Sequence, residues 1–155
     1  MTDLIRAFVA IELTDQIKDG LTLLARQIES QVTPRSVRWV RREAMHLTLV
    51  FLGDTPIVKL DSLQKAIAAA TRGVPSFPLT AAGIGCYPNT RRPRVLWVGV
   101  QEPAGYLVRM KAALDLELAP LGFSPEDRPF SPHLTLGRVN SRGRQAEIIQ
   151  VGQAI

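Results

Sequence analysis

His46-Leu47-Thr48-Leu49 and His133-Leu134-Thr135-Leu136 are the same four residues met twice, 87 positions apart (133 minus 46), and they contain the only two histidines of the chain. In an extended strand, residues i and i+2 face one side. Each string therefore presents a histidine and a threonine on one face and two leucines on the other. The leucines can seat the strand in a core while histidine and threonine point out of it, so the repeat predicts two similar strands, each delivering one imidazole and one hydroxyl.

Working outward, the first string continues through Val50, Phe51 and Leu52 to Gly53, where the strand is expected to end. Thr55-Pro56 then reads as a helix start, with Leu60, Leu63 and Ile67 as its buried stripe and Gly73 and Pro75 as its stop. Upstream, 4–12 reads as a strand, Ile17, Leu21, Leu24 and Ile28 share a helical face after Thr14, and 37–40 is a short strand. Downstream, strands are expected over 77–86 and 94–100, joined as a hairpin by the basic connection Tyr87-Pro88-Asn89-Thr90-Arg91-Arg92-Pro93. Pro103 is expected to open a third helix with Leu107, Met110, Leu114, Leu118 and Leu121 on one face and Gly122 past its end. The second string opens a last strand, 133–139, and 140–155 carries no clear pattern. Strands interleaved with amphipathic helices predict an α+β fold with helices on sheet faces.

Opening a phosphodiester with water needs one group to take a proton and another to give one, and imidazole suits both near neutrality. His46 and His133 fit as that pair. Thr48 and Thr135 would donate hydroxyl hydrogen bonds to the non-bridging oxygens as charge gathers on them. One such string alone would read as an ordinary half-buried strand, with threonine as a good β-former. Its repetition, with no other histidine present, favours the chemistry. A zinc site would need more ligands than two histidines and one cysteine supply. No metal and no cofactor are expected.

Nineteen Lys and Arg against 14 Asp and Glu give a net charge of +5 and a pI near 10.0, a balance that suits a phosphate-bearing partner without proving one. Cys86 stands alone, so no internal disulfide can form, and it reads as a small buried hydrophobe. The N-terminal stretch carries Asp3, Arg6 and Glu12 and has no apolar run of membrane or signal-peptide length. The expectation is a cytoplasmic monomer with no membrane partner.

The paired strings resemble the hallmark of the two-histidine (2H) phosphoesterase superfamily, a repeated His-x-Thr-x motif. The chain is most similar to its LigT-like branch, the RNA 2′,3′-cyclic phosphodiesterases, also described as 2′-5′ RNA ligases. Further stretches carry the likeness: Arg6-Ala7-Phe8-Val9-Ala10-Ile11-Glu12-Leu13, Val37-Arg38-Trp39-Val40, Gly83-Ile84-Gly85-Cys86-Tyr87-Pro88, Pro93-Arg94-Val95-Leu96-Trp97 and Arg128-Pro129-Phe130-Ser131-Pro132-His133. It spans about residues 4 to 139.

The resemblance implies a bilobal fold of two pseudo-symmetric β-sheet lobes, with helices outside and a central cleft to which each lobe brings one motif strand. It implies metal-free opening of RNA 2′,3′-cyclic phosphate ends to 2′-phosphomonoesters. His46 and His133 are then acid and base, in an order the sequence leaves open, and Thr48 and Thr135 hold the phosphate. Arg138 and Arg128 become either phosphate contacts or solvated surface charges, and Phe8 either a stacking platform for the terminal base or a core residue. Family chains continue past the second motif with further strands. A single domain, 1–155, lacking those last strands is therefore expected.

Other signals are weaker. Gly83-Ile84-Gly85 begins like a dinucleotide fingerprint, but Pro88 stands at its sixth position, so a strand with a close backbone approach is the better account. The Arg91-Arg92-Pro93-Arg94 cluster suits an RNA backbone or a solvated hairpin connection equally. Trp39 and Trp97 are expected in the core. Two alternatives to hydrolysis stay open: ligation of RNA ends by the reverse reaction, and an RNA-binding module without turnover.

Overall fold

The computed structural model describes residues 3–155 as a mixture of helices and antiparallel strands. In chain order these are β1 (Leu4–Glu12), α1 (Asp15–Glu29), β2 (Val37–Trp39), β3 (His46–Pro56), α2 (Leu60–Thr71), β4 (Thr80–Tyr87), β5 (Val95–Gln101), α3 (Tyr106–Leu118), β6 (His133–Val139) and α4 (Gln145–Gln153). The chain divides into two compact units. One holds residues up to Ile11 with Thr48–Thr80 and Glu102–Pro132; the other holds Glu12–Leu47, Ala81–Gln101 and His133–Ile155.

In the first unit β1 lies beside β3, and the Ile57 N–H donates to the Asp3 carbonyl at 3.0 Å, tying the end of one strand to the start of the other. That pairing corrects the expected strand end. Gly53 does not stop β3 but bends it at φ +67, a conformation open to glycine at little cost. Thr55 is fully buried, its hydroxyl donating to the Gly53 carbonyl at 3.2 Å, so Thr55-Pro56 closes the strand rather than opening a helix. The helical run begins with a 3-10 turn at Ile57–Lys59.

The buried stripe of α2 is also rotated from expectation. Leu60 is exposed and Ile67 half-buried, while Leu63, Ala66 and Ala70 face inward. Two alanines on that face let α3 approach closely. On α3 the expected residues Leu107, Met110, Leu114 and Leu118 are all buried, each leucine stabilising the unit by about 1.5–3 kcal/mol. Pro103 precedes this helix by a turn: the Glu102 carboxylate accepts from the Ala104 and Leu107 N–H groups at 2.9 and 3.0 Å, and Gly105 sits at φ +77. Leu121 falls in a 3-10 turn beyond α3, ended by Gly122 at φ +90. Phe77 was expected in a strand, but its ring stacks on Tyr106 at 5.4 Å, and β4 begins only at Thr80.

In the second unit β6 is central, with β5 on one edge and β2 and the start of β3 on the other; β4 lies outside β5. Helix α1, capped by Thr14 accepting from the Ile17 N–H at 3.4 Å, packs against β6 and buries Leu21, Ala25 and Ile28. The core side of the sheet carries Leu47, Leu96, Val98, Leu134 and Leu136. Residues 145–153, unassigned by sequence, form α4. The Glu147 carboxylate accepts from the Arg144 N–H at 3.1 Å, and Val151 is fully buried.

Candidate active site

Both histidines stand at the first position of their strands, and both strands belong to the second unit at that point. β3 and β6 run antiparallel with Leu47 opposite Leu134, at 0% and 3% exposure. Stepping one residue along this register sets His46 across from Thr135, on the face opposite the leucines. The histidine of one string thus stands opposite the threonine of the other in the strand register. All of His46, His133 and Thr135 are half-buried, accessible from outside yet held by strand backbone.

His133 has an aromatic wall that the sequence did not reveal. The Tyr87 ring meets its imidazole edge-on at 5.3 Å, and the Trp97 indole lies 6.4 Å away and 5.2 Å from Tyr87. Trp97 is half-buried rather than core, and it faces the histidine side because it pairs with Thr135. Its indole N–H is buried without a hydrogen-bond partner. What admits the indole is Gly85: a Cβ there would collide with the Trp97 six-membered ring. The strand expected at Gly83-Ile84-Gly85 is present, but what approaches Gly85 is the Trp97 side chain rather than another backbone.

Arg138 reaches the same face by a backbone irregularity. Strict alternation from His133 would turn position 138 to the core side with Leu134 and Leu136. Instead, β5 pairs Trp97 with Thr135 but Leu96 with Gly137, leaving Leu136 as an extra residue on β6. After this bulge Gly137 faces the core, where a Cβ would come within 2.6 Å of Val37, and Arg138 pairs with Val95 on the side of Trp97 and Thr135. Arg138 is exposed.

The other predicted residues lie in the first unit. Thr48 follows His46 by two positions along β3 and so shares its side of the strand. Arg128 sits exposed in the segment between α3 and β6. Phe8, on β1, is 48% exposed, which rules out the core role. Cys86 is buried as expected, and burial pushes its thiol pKa up. Among the described residues no cluster of three or more His, Cys, Asp or Glu could hold a metal ion, and no helix is long and apolar enough to cross a membrane.

The sequence pattern of the LigT-like phosphoesterases matches this chain twice, over residues 11–97 and 98–155, and each stretch contains one His-Leu-Thr-Leu string. The chain belongs to that family. Among relatives of this LigT-like phosphoesterase, the RNA 2′,3′-cyclic phosphodiesterase of Methanothermobacter thermautotrophicus is 34% identical over 94% of this chain and 78% of its own length. The RNA 2′,3′-cyclic phosphodiesterase of Thermotoga maritima is 37% identical over 86% of this chain and 70% of its own. In three dimensions the chain is similar to Escherichia coli LigT in complex with 3′-AMP, with a TM-score of 0.68 at 27% identity, over 92% of this chain and 78% of that one.

Proposed function

We propose that this LigT-like phosphoesterase hydrolyses RNA 2′,3′-cyclic phosphate ends to 2′-phosphomonoesters, acting as a cytoplasmic monomer without metal or cofactor. The observation that carries the proposal is the Leu47–Leu134 register, which puts His46 of the first string opposite Thr135 of the second. The names of its relatives supply the substrate class.

One histidine takes a proton from water as the water oxygen bonds to phosphorus. The other gives a proton to O3′ as the P–O3′ bond breaks, leaving the phosphate on O2′. Thr48 and Thr135 donate to the non-bridging oxygens, where negative charge rises in the transition state. Because one imidazole must start neutral and its partner charged, the rate should follow a bell-shaped pH profile belonging to the pair.

The test is turnover of a nucleoside 2′,3′-cyclic phosphate in the presence of a chelator, with the product isomer identified. A 2′-phosphate formed at an undiminished rate is expected. Loss of activity on chelation and recovery with zinc would overturn the metal-free mechanism. A 3′-phosphate product would overturn the assignment of the broken bond.

A further inference from the structure

Building on the proposed action at RNA ends, we propose that the β2–β6 edge holds a second phosphate subsite, in which Arg38 and Arg35 bind a phosphodiester on the 5′ side of the cyclic end. Such a site would make the preferred substrate an oligonucleotide end rather than a mononucleotide.

The first observation is a pairing that a folded protein ordinarily avoids. Arg38 and Arg138 are direct cross-strand partners in the β2–β6 ladder. Like charges in that relation destabilise a strand pair. Neither they nor Arg35 has a carboxylate within ion-pair distance among the described residues. Compensation of that kind exists elsewhere in the same unit, where Arg42 is held by Asp15 and Asp19 at 2.9 and 2.6 Å. Three uncompensated guanidinium groups line an open groove together with Asn140 and Ser141. A bound phosphate would relieve the repulsion, and guanidinium groups match its oxygens with two parallel hydrogen bonds.

The second observation is backbone conformation. Arg35, at φ 65, is the one non-glycine residue with positive φ among those described. A left-handed arginine costs energy that the surroundings must over-determine. Here the Ser36 N–H donates to the Thr33 carbonyl at 3.1 Å and the Asn140 N–H to the Ser36 carbonyl at 2.7 Å, fixing the turn at the groove's rim.

The third is direction. The bulge at Leu136 puts Arg138, and with it Arg38, on the side of the sheet that carries Thr135 and His133. At about 3.3 Å per residue, Arg138 stands roughly 10 Å along β6 from Thr135. An RNA strand whose end is held at Thr135 can therefore continue along the same face into the groove.

The experiment compares two substrates, a nucleoside 2′,3′-cyclic phosphate and a short oligonucleotide ending in the same cyclic nucleotide, in wild type, Arg38→Gln, Arg35→Gln and Arg38→Lys. Both glutamine substitutions fall on exposed positions. Each should lower the oligonucleotide-to-mononucleotide ratio of kcat/KM by about tenfold, with Arg38→Lys keeping part of it. Binding of a 3′-phosphorylated oligonucleotide should lose about 0.7 of its logarithmic salt slope per arginine removed. Arg72→Gln, an exposed charge in the other unit, controls for net charge and should leave both readouts unchanged. A ratio and a salt slope both unmoved in Arg38→Gln would overturn the subsite, as would an equal effect from Arg72→Gln. Should the wild type hydrolyse neither substrate, the proposed function fails, while the salt slope still decides the subsite.

Discussion

β3 and β6 open with the same seven-residue alternation of half-buried, buried and exposed positions, and they differ most at the sixth. There β3 carries Phe51, 61% exposed, and β6 carries Arg138. The fifth positions differ too: Val50 is a buried apolar residue, whereas Gly137 leaves room for Val37 where a side chain would collide. The two strands thus agree in presenting a half-buried histidine and a half-buried threonine from one face. They part beyond that pair, where one strand offers an apolar ring and the other a cation. A repeated motif thus fixes what its own four residues present and leaves the next positions of each strand free to diverge.

If the equivalence of the two histidines holds, His46→Ala and His133→Ala should each lower the single-turnover rate by about a hundredfold to ten-thousandfold while RNA affinity survives. Near-normal rates in both variants would remove the acid–base assignment altogether. A large loss in only one would break the comparison and leave a single proton-transfer group.

Next in size are the glycines that the comparison isolates. Gly137→Ala puts a methyl within 2.6 Å of Val37 and 3.2 Å of the Arg38 carbonyl, and thermal unfolding should show a loss of about 1–3 kcal/mol. Gly85→Ala must displace Trp97 and should cost a similar amount, with the rate falling alongside as the wall behind His133 shifts. Unchanged melting in both would mean that the bulge and the indole are not held as described.

Smaller again, Thr48→Ala and Thr135→Ala should each slow turnover by about threefold to tenfold, since each removes one neutral hydroxyl donor. Unequal losses would sharpen the comparison by showing which strand carries more of the phosphate charge. The smallest effect belongs to Tyr87→Leu, which removes an edge-on ring contact with His133 worth about 0.5–1.5 kcal/mol. It should slow turnover by less than either threonine substitution, and a loss as large as that of His133→Ala would show that the ring does more than brace that imidazole.

Much of this was legible before any coordinates. Strand bounds at 4–12 follow from strand-forming residue types, those at 133–139 from the repeated string, and the α3 residues Leu107, Met110, Leu114 and Leu118 from helical period. The repeated string located both histidines. What sequence missed depends on interruptions of period. Gly53 looks like a stop until pairing with β1 shows the strand passing through it. Arg138 counts to the wrong face until the extra residue at Leu136 is seen. Tyr87 and Trp97 come together only through β4–β5 pairing, a relation that residue spacing does not encode. Helix α4 is short, and its buried residues, the adjacent Val151 and Gly152, are too little signal for a stripe.

The nearness of Trp97 to His133 has an optical consequence. Of the two tryptophans in the chain, this one lies 6.4 Å from an imidazole. An imidazolium accepts an electron from an excited indole more readily than the neutral ring does, so emission dims as the proton arrives. With Trp39→Phe to silence the second emitter, the fluorescence of a resting, substrate-free sample becomes a label-free signal of protonation on the histidine face.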